Sequence, residues 1–286
     1  MSASPASAAE KRRRFHELHR SGCFVLPNPW DAGSARYLQA LGFKALATTS
    51  SGFAWSQGAP DGGMAREAVL AHLQAMVAAT DLPINADFES GYARDPDGVA
   101  QSVRLAVETG VAGLSIEDST GDTAKPLYGI DDAVARMRAA RQAIDRTGGD
   151  TLLVGRAECF LVGRPDIDET ISRLQAYASA GADCLYAPGI RSPEHIRRVV
   201  ESVAPKPVNL LVGYASALSV AEIGALGVRR ISVGGALARA AWGGFMRAAK
   251  TLAEQGRFDG FADAASHDTI QSLMRVPAGD LPIRGL

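Results

Sequence analysis

Cysteine and histidine are scarce in this chain, and neither is spaced to grip a metal. There are three cysteines, Cys23, Cys159 and Cys184, and five histidines. The cysteines lie far apart, each in an apolar run, which is the setting of buried thiols and not of a zinc site. An odd count with no secretory leader fits a reducing compartment and points to the cytoplasm. None of His16, His19, His72 or His267 belongs to a partner motif, and His195 in SPEHIRR reads as a surface helix position. Long apolar runs are missing as well: none reaches the roughly 18 residues that a membrane-spanning helix needs. The opening stretch MSASPASAAEKRRRFHELHR has no apolar core of the secretory kind. Charge of one sign is also lacking. Lys and Arg number 30, Asp and Glu 31, and no basic stripe or polybasic helix argues for nucleic acid or a membrane surface as partner. No GxGxxG turn follows the first strand-like run, which weakens a dinucleotide-binding open sheet. No low-complexity linker divides the chain, and no sequence period suggests a solenoid.

What is present is an alternation. The 286 residues are 47% hydrophobic, enough for a large core. Short apolar or β-branched runs occur at CFVLPN, ALATTS, PINADF, GLSIED, LLVGRAE, CLYAPG, PVNLLV and RISVGG. Between them lie amphipathic helical patterns such as AREAVLAHLQAMVAAT, DGVAQSVRLAVETG, IDDAVARMRAARQAID and ETISRLQAYASAG. Asp95-Pro96, Asp166 and Ser192-Pro193 look like helix starts, and Gly110 and Gly181 like helix ends. Eight β-then-α units predict a (β/α)8 TIM-type barrel, with a doubly wound open sheet as the competitor. The expected layout is a flexible tail over 1–15 and a single barrel domain over 16–286, with a helical C-terminal extension from about 236.

In such barrels the working residues sit at the C-terminal ends of the strands. Those ends offer Asn28 and Trp30, then Thr49, Ser50, Ser51 and Gly52 with Asp61 further along the loop, then Asp87 and Glu89. Glu117 and Asp118 follow, then Arg156 and Glu158, Asn209, and the glycines Gly234 and Gly235. Strand alternation places Asp87 and Glu89 on one face, and Glu117 on the adjacent parallel strand, about 4.8 Å away, can approach them. Three carboxylates without a nearby His or Cys suit Mg2+ or Mn2+. The competing reading is a solvated acidic rim, or acids paired with Arg156. That arginine suits a carboxylate or phosphoryl group, but an internal salt bridge to Glu158 or Asp87 is the alternative. TTSSG reads either as a carboxylate cradle or as an ordinary turn, and SVGGALARA as an anion site or a tight turn.

Taken together, NPWDAGSARYLQALGFKALATTSSG, INADFESGYA, GLSIEDS and GRAE resemble the isocitrate lyase/phosphoenolpyruvate mutase superfamily, in the expected order and over nearly the whole barrel. The resemblance implies a (β/α)8 barrel and a Mg2+ site. It implies a C-terminal helix exchanged between subunits of a homodimer or homotetramer, and small 2-oxo or 2-hydroxy carboxylate substrates that react through an enolate. On it, Asp87, Glu89 and Glu117 match the metal-site acids, and Asp61 a further acid near metal and substrate. Ser50, Ser51 and Gly52 match the segment holding the substrate carboxylate, Arg156 the substrate-binding arginine, and Trp30 and Asn209 pocket-lining positions. The chain also departs from the family. The lyases carry a Lys-x-Cys-Gly-His signature on the lid after the fourth strand, where this chain reads STGDTAKPLYGIDD, with Lys125 as its only cation. A glutamate that the lyases place after the sixth strand is replaced by APGI, with Gly189. These losses argue against a full methylisocitrate lyase and are compatible with decarboxylation of a 2-oxo diacid, with Tyr92 or water protonating the enolate. Phosphonopyruvate hydrolysis or phosphoryl mutase chemistry is one alternative, and a non-catalytic dicarboxylate-binding barrel is another.

Overall fold

The apolar runs form eight short parallel strands. The structure, a computed structural model, describes residues 6–275. The strands are β1 (Phe24–Leu26), β2 (Leu46–Ala47), β3 (Ile84–Asp87), β4 (Gly113–Glu117), β5 (Leu152–Arg156), β6 (Cys184–Tyr186), β7 (Val208–Leu211) and β8 (Arg230–Ser232). Each falls inside a run read from the sequence. Each pairs in parallel with its neighbour in the order β1-β8-β7-β6-β5-β4-β3-β2. The gap between β1 and β2 is bridged by one backbone bond, from Ala47 N–H to Pro27 O at 3.1 Å. Asn28 stitches the same seam: its amide donates to Thr48 O, and its Oδ1 accepts from the backbone N–H groups of Val233 and Gly234. This is a (β/α)8 barrel.

Helices follow the strands on the outside: α2 (Ala32–Ala40), α3 (Ser50–Ser56), α4 (Arg66–Ala79), α5 (Pro96–Glu108), α6 (Ile130–Arg146), α7 (Ile167–Ser179), α8 (Pro193–Val203), α9 (Val220–Ala225) and α10 (Ala236–Gln255). The predicted caps are in place. Asp95 accepts from Gly98 N–H, Asp166 from Asp168 and Glu169 N–H, and Ser192 from His195 N–H, satisfying amides that a helix start leaves without intrahelical partners. Gly110 and Gly181 take positive φ just past α5 and α7, where a side chain would be strained.

Residues 8–15 of the expected flexible tail are helical. A helix α1 (Ala8–Arg20) opens with a Ser7/Glu10 capping box, so residues 8–15 are ordered; residues 1–5 lie outside the described residues. Its basic run divides: Arg13 and Arg14 are exposed, while Lys11 and Arg12 reach inward. Lys11 Nζ donates to the carbonyls of Val77 and Thr80, and Arg12 to those of Val107 and Val111 and to Asp150. Phe15 is fully buried with Leu26, Ala45, Ala47, Ala112 and Leu152. Helix α1 thus lies across the N-terminal ends of the strands with Phe15 as a stopper.

At the other end of the chain, the helical extension is present as α10 and α11 (His267–Arg275). Of α10's residues Ala238 alone is buried, while Trp242, Phe245 and Met246 are exposed. Helix α11 packs on α2 of the same chain: Met274 approaches Gly33, and the Arg36 guanidinium donates to the carbonyls of Leu273 and Met274. Exchange of this segment between subunits therefore stands as a proposal.

Candidate active site

A cavity of about 190 Å³ opens at the C-terminal ends of the strands. Of the residues singled out in the sequence, it is bordered by Asn28, Thr49, Ser50, Ser51, Asp61, Asp87, Arg156 and Asn209. Gly234 and Gly235 form its rim; the N–H of Gly234 is already bonded to Asn28, and Ala236 N–H closes a turn on Val233 O.

At the centre is Arg156, the last residue of β5. The parallel register sets Glu117 of β4 beside it. Its Nη1 lies 3.2 Å from Asp87 Oδ1 and 3.3 Å from Glu117 Oε2, and its Nε donates to Glu158 Oε1. The guanidinium also lies over the Tyr186 ring, 5.1 Å from its centroid. Arg156 is therefore both a pocket residue and the internal salt-bridge hub that was its competing reading. Burial pushes the Glu117 carboxyl well above the usual carboxylate range, with Arg156 as the main opposing influence. Glu158 is pushed up for the same reason.

Two sequence expectations need correction. The first concerns Glu89. Strand β3 ends at Asp87, Phe88 turns into the core, and Glu89 adopts φ +47°. Glu89 therefore does not share a strand face with Asp87 by alternation. It reaches the cluster through a left-handed turn, where its carboxylate accepts from Tyr92 Oη at 2.7 Å. Burial raises its pKa, against the Tyr92 hydrogen bond; Asp87 and Asp61 add to the rise. The Tyr92 proton is committed to Glu89, and burial pushes that phenol far up; Tyr92 does not border the cavity, so it is not placed to protonate a substrate carbon. The second concerns convergence. Among the described residues no three carboxylates converge on one point, because Arg156 stands between Asp87 and Glu117.

The fit of a divalent ion can nevertheless be tested on donor chemistry and charge. Asp87, Glu117 and Glu158 pair with one guanidinium and Glu89 adds a fourth carboxylate to the cluster, an excess of three negative charges when all are ionised. All donors are oxygen, the preference of Mg2+ and Mn2+. In donor type and charge the cluster suits such an ion, which would have to displace Arg156 from the oxygens of Asp87 and Glu117.

The carboxylate cradle is narrower than its sequence reading. Ser50 N–H donates to Asp87 Oδ2 at 2.9 Å, and Gly52 N–H to Thr49 Oγ1. The Ser51 N–H has no protein acceptor among the described residues. Gly52 is absent from the lining; a Cβ there would sit 2.7 Å from Thr49 Cγ2 and 2.9 Å from Trp30 Cβ, so its role is close packing. Trp30 also lies outside the cavity, in a groove with Ala238, Trp242 and Phe245. Lys125 is exposed on the lid.

That lid is a small hairpin, closed by the Ser119–Leu127 bridge and by Thr120 N–H to Pro126 O. Its base is pinned by Asp118, which is not available to the site. Asp118 accepts from Glu158 N–H, Arg173 Nη1 and Tyr177 Oη, and Arg173 also donates to Tyr128 O. Sequence reasoning placed Asp118 at a strand end but had no sign of these partners, of which Arg173 and Tyr177 come from α7 and Glu158 from just past the end of β5. It also missed Tyr186 and Arg230, whose side chains border the cavity; polar residues inside the strand runs CLYAPG and RISVGG were the available signal.

A (β/α)8 barrel with a polar cluster at the C-terminal mouth is the arrangement of a barrel enzyme. The comparisons give the family: residues 15–253 match the family described as phosphoenolpyruvate phosphomutase, and the chain belongs to the isocitrate lyase/phosphoenolpyruvate mutase superfamily. It is 30% identical over 217 residues to an oxaloacetate decarboxylase of Paraburkholderia xenovorans, covering 73% of this chain and 70% of the relative. A crystal structure of a putative lyase/mutase from Burkholderia cenocepacia superposes with TM-score 0.92 at 46% identity, covering 95% of this chain and 99% of that one. A 2,3-dimethylmalate lyase superposes with TM-score 0.82 at 28% identity, covering 96% of each. No helix among the described residues is long and apolar enough to cross a membrane.

Proposed function

We propose that the chain is a Mg2+-dependent carbon–carbon lyase for a small 2-oxo or 2-hydroxy carboxylate, working through an enolate, in the manner of an oxaloacetate decarboxylase or a methylisocitrate lyase. The observation that carries this reading is the excess of buried carboxylates around the single guanidinium of Arg156. Asp87, Glu89 and Glu117 would hold the ion, which supplies a Lewis acid toward the 2-oxygen of the substrate. Arg156, released from part of its carboxylate shell, offers its fork to a substrate carboxylate. Ser50 and Ser51 border the same space, and the free Ser51 N–H would orient the other end. Asp61, at the mouth, adds negative charge near Glu89. The lid carries no Cys or His, so it brings neither of these acid/base groups to the cavity. Loss of CO2 from a 2-oxo diacid needs no base to begin, which suits such a lid. Lid closure by the 119–127 hairpin would exclude water from the enolate.

The test is pyruvate formation from oxaloacetate, methylisocitrate, dimethylmalate and phosphonopyruvate, with Mg2+ and with EDTA. Metal-dependent pyruvate from a carboxylate substrate supports the reading. Phosphate released with pyruvate from phosphonopyruvate would move it to phosphorus–carbon chemistry, a second reading favoured by the matched family's description. Ligand binding without turnover would favour a dicarboxylate-binding barrel.

A further inference from the structure

The cavity extends down from the carboxylate cluster to a second arginine. In the parallel register Glu117 pairs with Arg156, Arg156 with Tyr186, Tyr186 with Asn209, and Asn209 with Arg230. Strands in such a barrel are tilted and staggered, so this row of neighbours descends from the mouth at Glu117 to the floor at Arg230, the first residue of β8. Both Arg156 and Arg230 border the cavity.

The two arginines differ in their counter-charges. Arg156 is surrounded by carboxylates. Arg230 is 2% exposed and has no carboxylate partner among the described residues. Its Nε donates to Asn209 Oδ1 at 2.9 Å and its Nη1 to Asn85 Oδ1 at 3.2 Å, while Nη1 also lies 3.4 Å from His19 Nε2. The ring of Phe15 lies beneath it at 5.9 Å. The titratable groups nearest it are uncharged at neutral pH: burial holds His19 down to about 3, pushes the Cys184 thiol up and pushes the Tyr186 phenol up to about 12. Nη2 has no protein acceptor among the described residues. Arg136 offers the contrast. It is equally buried, but its Nη groups donate to the carbonyls of Ser90, Ala93 and Arg94 and it stacks over Tyr128, so its role is structural.

A guanidinium stays protonated in proteins, and a buried charge without a counter-charge is costly. We propose that Arg230, with Asn85 and Asn209, forms an anion-binding floor that takes the second carboxylate of a dicarboxylic substrate. The proposal rests on the reading of the cavity as the substrate site and narrows its substrate class. A volume of about 190 Å³ is the liquid share of about six waters, room for a short diacid. One carboxylate would lie toward Arg156 and Ser51 and the other toward Arg230. A monoacid would leave Arg230 facing an apolar tail.

Calorimetric titration with succinate and with butyrate, in Mg2+ and again in EDTA, tests this without turnover. The second carboxylate should make succinate bind about tenfold to a hundredfold more tightly in at least one series, the range of one charge-assisted hydrogen-bonded contact. Arg230→Gln should bring the ratio to within about threefold. Asn85→Asp should do the same by placing a fixed carboxylate beside Nη1, and it decides the matter if Arg230→Gln fails to fold. Equal affinities in the parent protein, or a preference for succinate that survives Asn85→Asp, would overturn the proposal. So would Arg230-dependent binding of sulfate that succinate does not displace, which would give the floor to a free inorganic anion. A protein that prefers succinate but turns over no acid keeps the floor site and loses the lyase reading.

Discussion

Replacing Glu117 with glutamine separates two effects of one carboxylate. In the metal-free protein Glu117 is a liability: burial disfavours its charge, and the Asp87, Glu89 and Glu158 carboxylates repel it, with only Arg156 opposing. Glutamine keeps the shape and removes the charge, so the melting temperature in EDTA should stay level or rise. The opposite sign is expected for metal binding. A unit-charge interaction at about 4 Å is worth about 4 kcal/mol at the effective dielectric of a protein site, and less where a water intervenes. Mg2+ affinity should therefore fall by between tenfold and about a thousandfold, and metal-dependent pyruvate formation should fall with it at fixed Mg2+. Calorimetric Mg2+ titration, a melt in EDTA and the pyruvate assay on the same preparation suffice. Mg2+ affinity and turnover within twofold of the parent, or a clear drop in melting temperature in EDTA, would refute the account of Glu117 as a carboxylate kept for a cation.

Gly52→Ala should destabilise the protein by about 1–3 kcal/mol through overpacking, because the new methyl would press on Thr49 and Trp30; chemical denaturation measures it. Acid should destabilise the fold through His19 and His72, held down to about 3 and about 4 mainly by burial. Both are neutral when folded and protonated when unfolded between those values and the ordinary histidine value of about 6.5. Stability is thus intact above about pH 6.5 and falls as pH drops through that window, by about 2 kcal/mol per histidine at pH 5. Melts of His72→Gln from pH 7 to 5 should show a shallower loss than the parent, and an unchanged slope would contradict this. Asp118→Asn should loosen the lid base, since it weakens the contacts to Arg173 and Tyr177; faster amide exchange at Thr120 and Tyr128 is the readout.

The barrel was legible because its signals are local. Strand-like runs and amphipathic spacing depend on near neighbours, and caps such as Asp166 satisfy amides two and three residues away. The strand ends were legible too, since Asp87, Glu117 and Arg156 are polar residues closing apolar runs. What escaped depends on partners far along the chain. Lys11 bonds carbonyls 66 and 69 residues away, so its part in docking α1 has no local sign in the basic run. Arg230 owes its surroundings to Asn85, 145 residues away. Glu89 was misplaced for a different reason: alternation was carried two residues past Asp87, where the backbone had already turned left-handed.

Because α1 and its Phe15 stopper close one end of the barrel, the cavity behaves as a flask and not as a pipe. Traffic in and out shares a single neck. On the proposed lyase reading, a fragment bound near Asp61 and Ser50 can diffuse away first, whereas one bound against Arg230 is trapped until its companion has gone. Departure should therefore be sequential, and the deeper fragment should compete with fresh substrate while the shallower one inhibits noncompetitively. Shortening the chain through α1 would uncork the base, let water reach Arg230 from below, and blur that order.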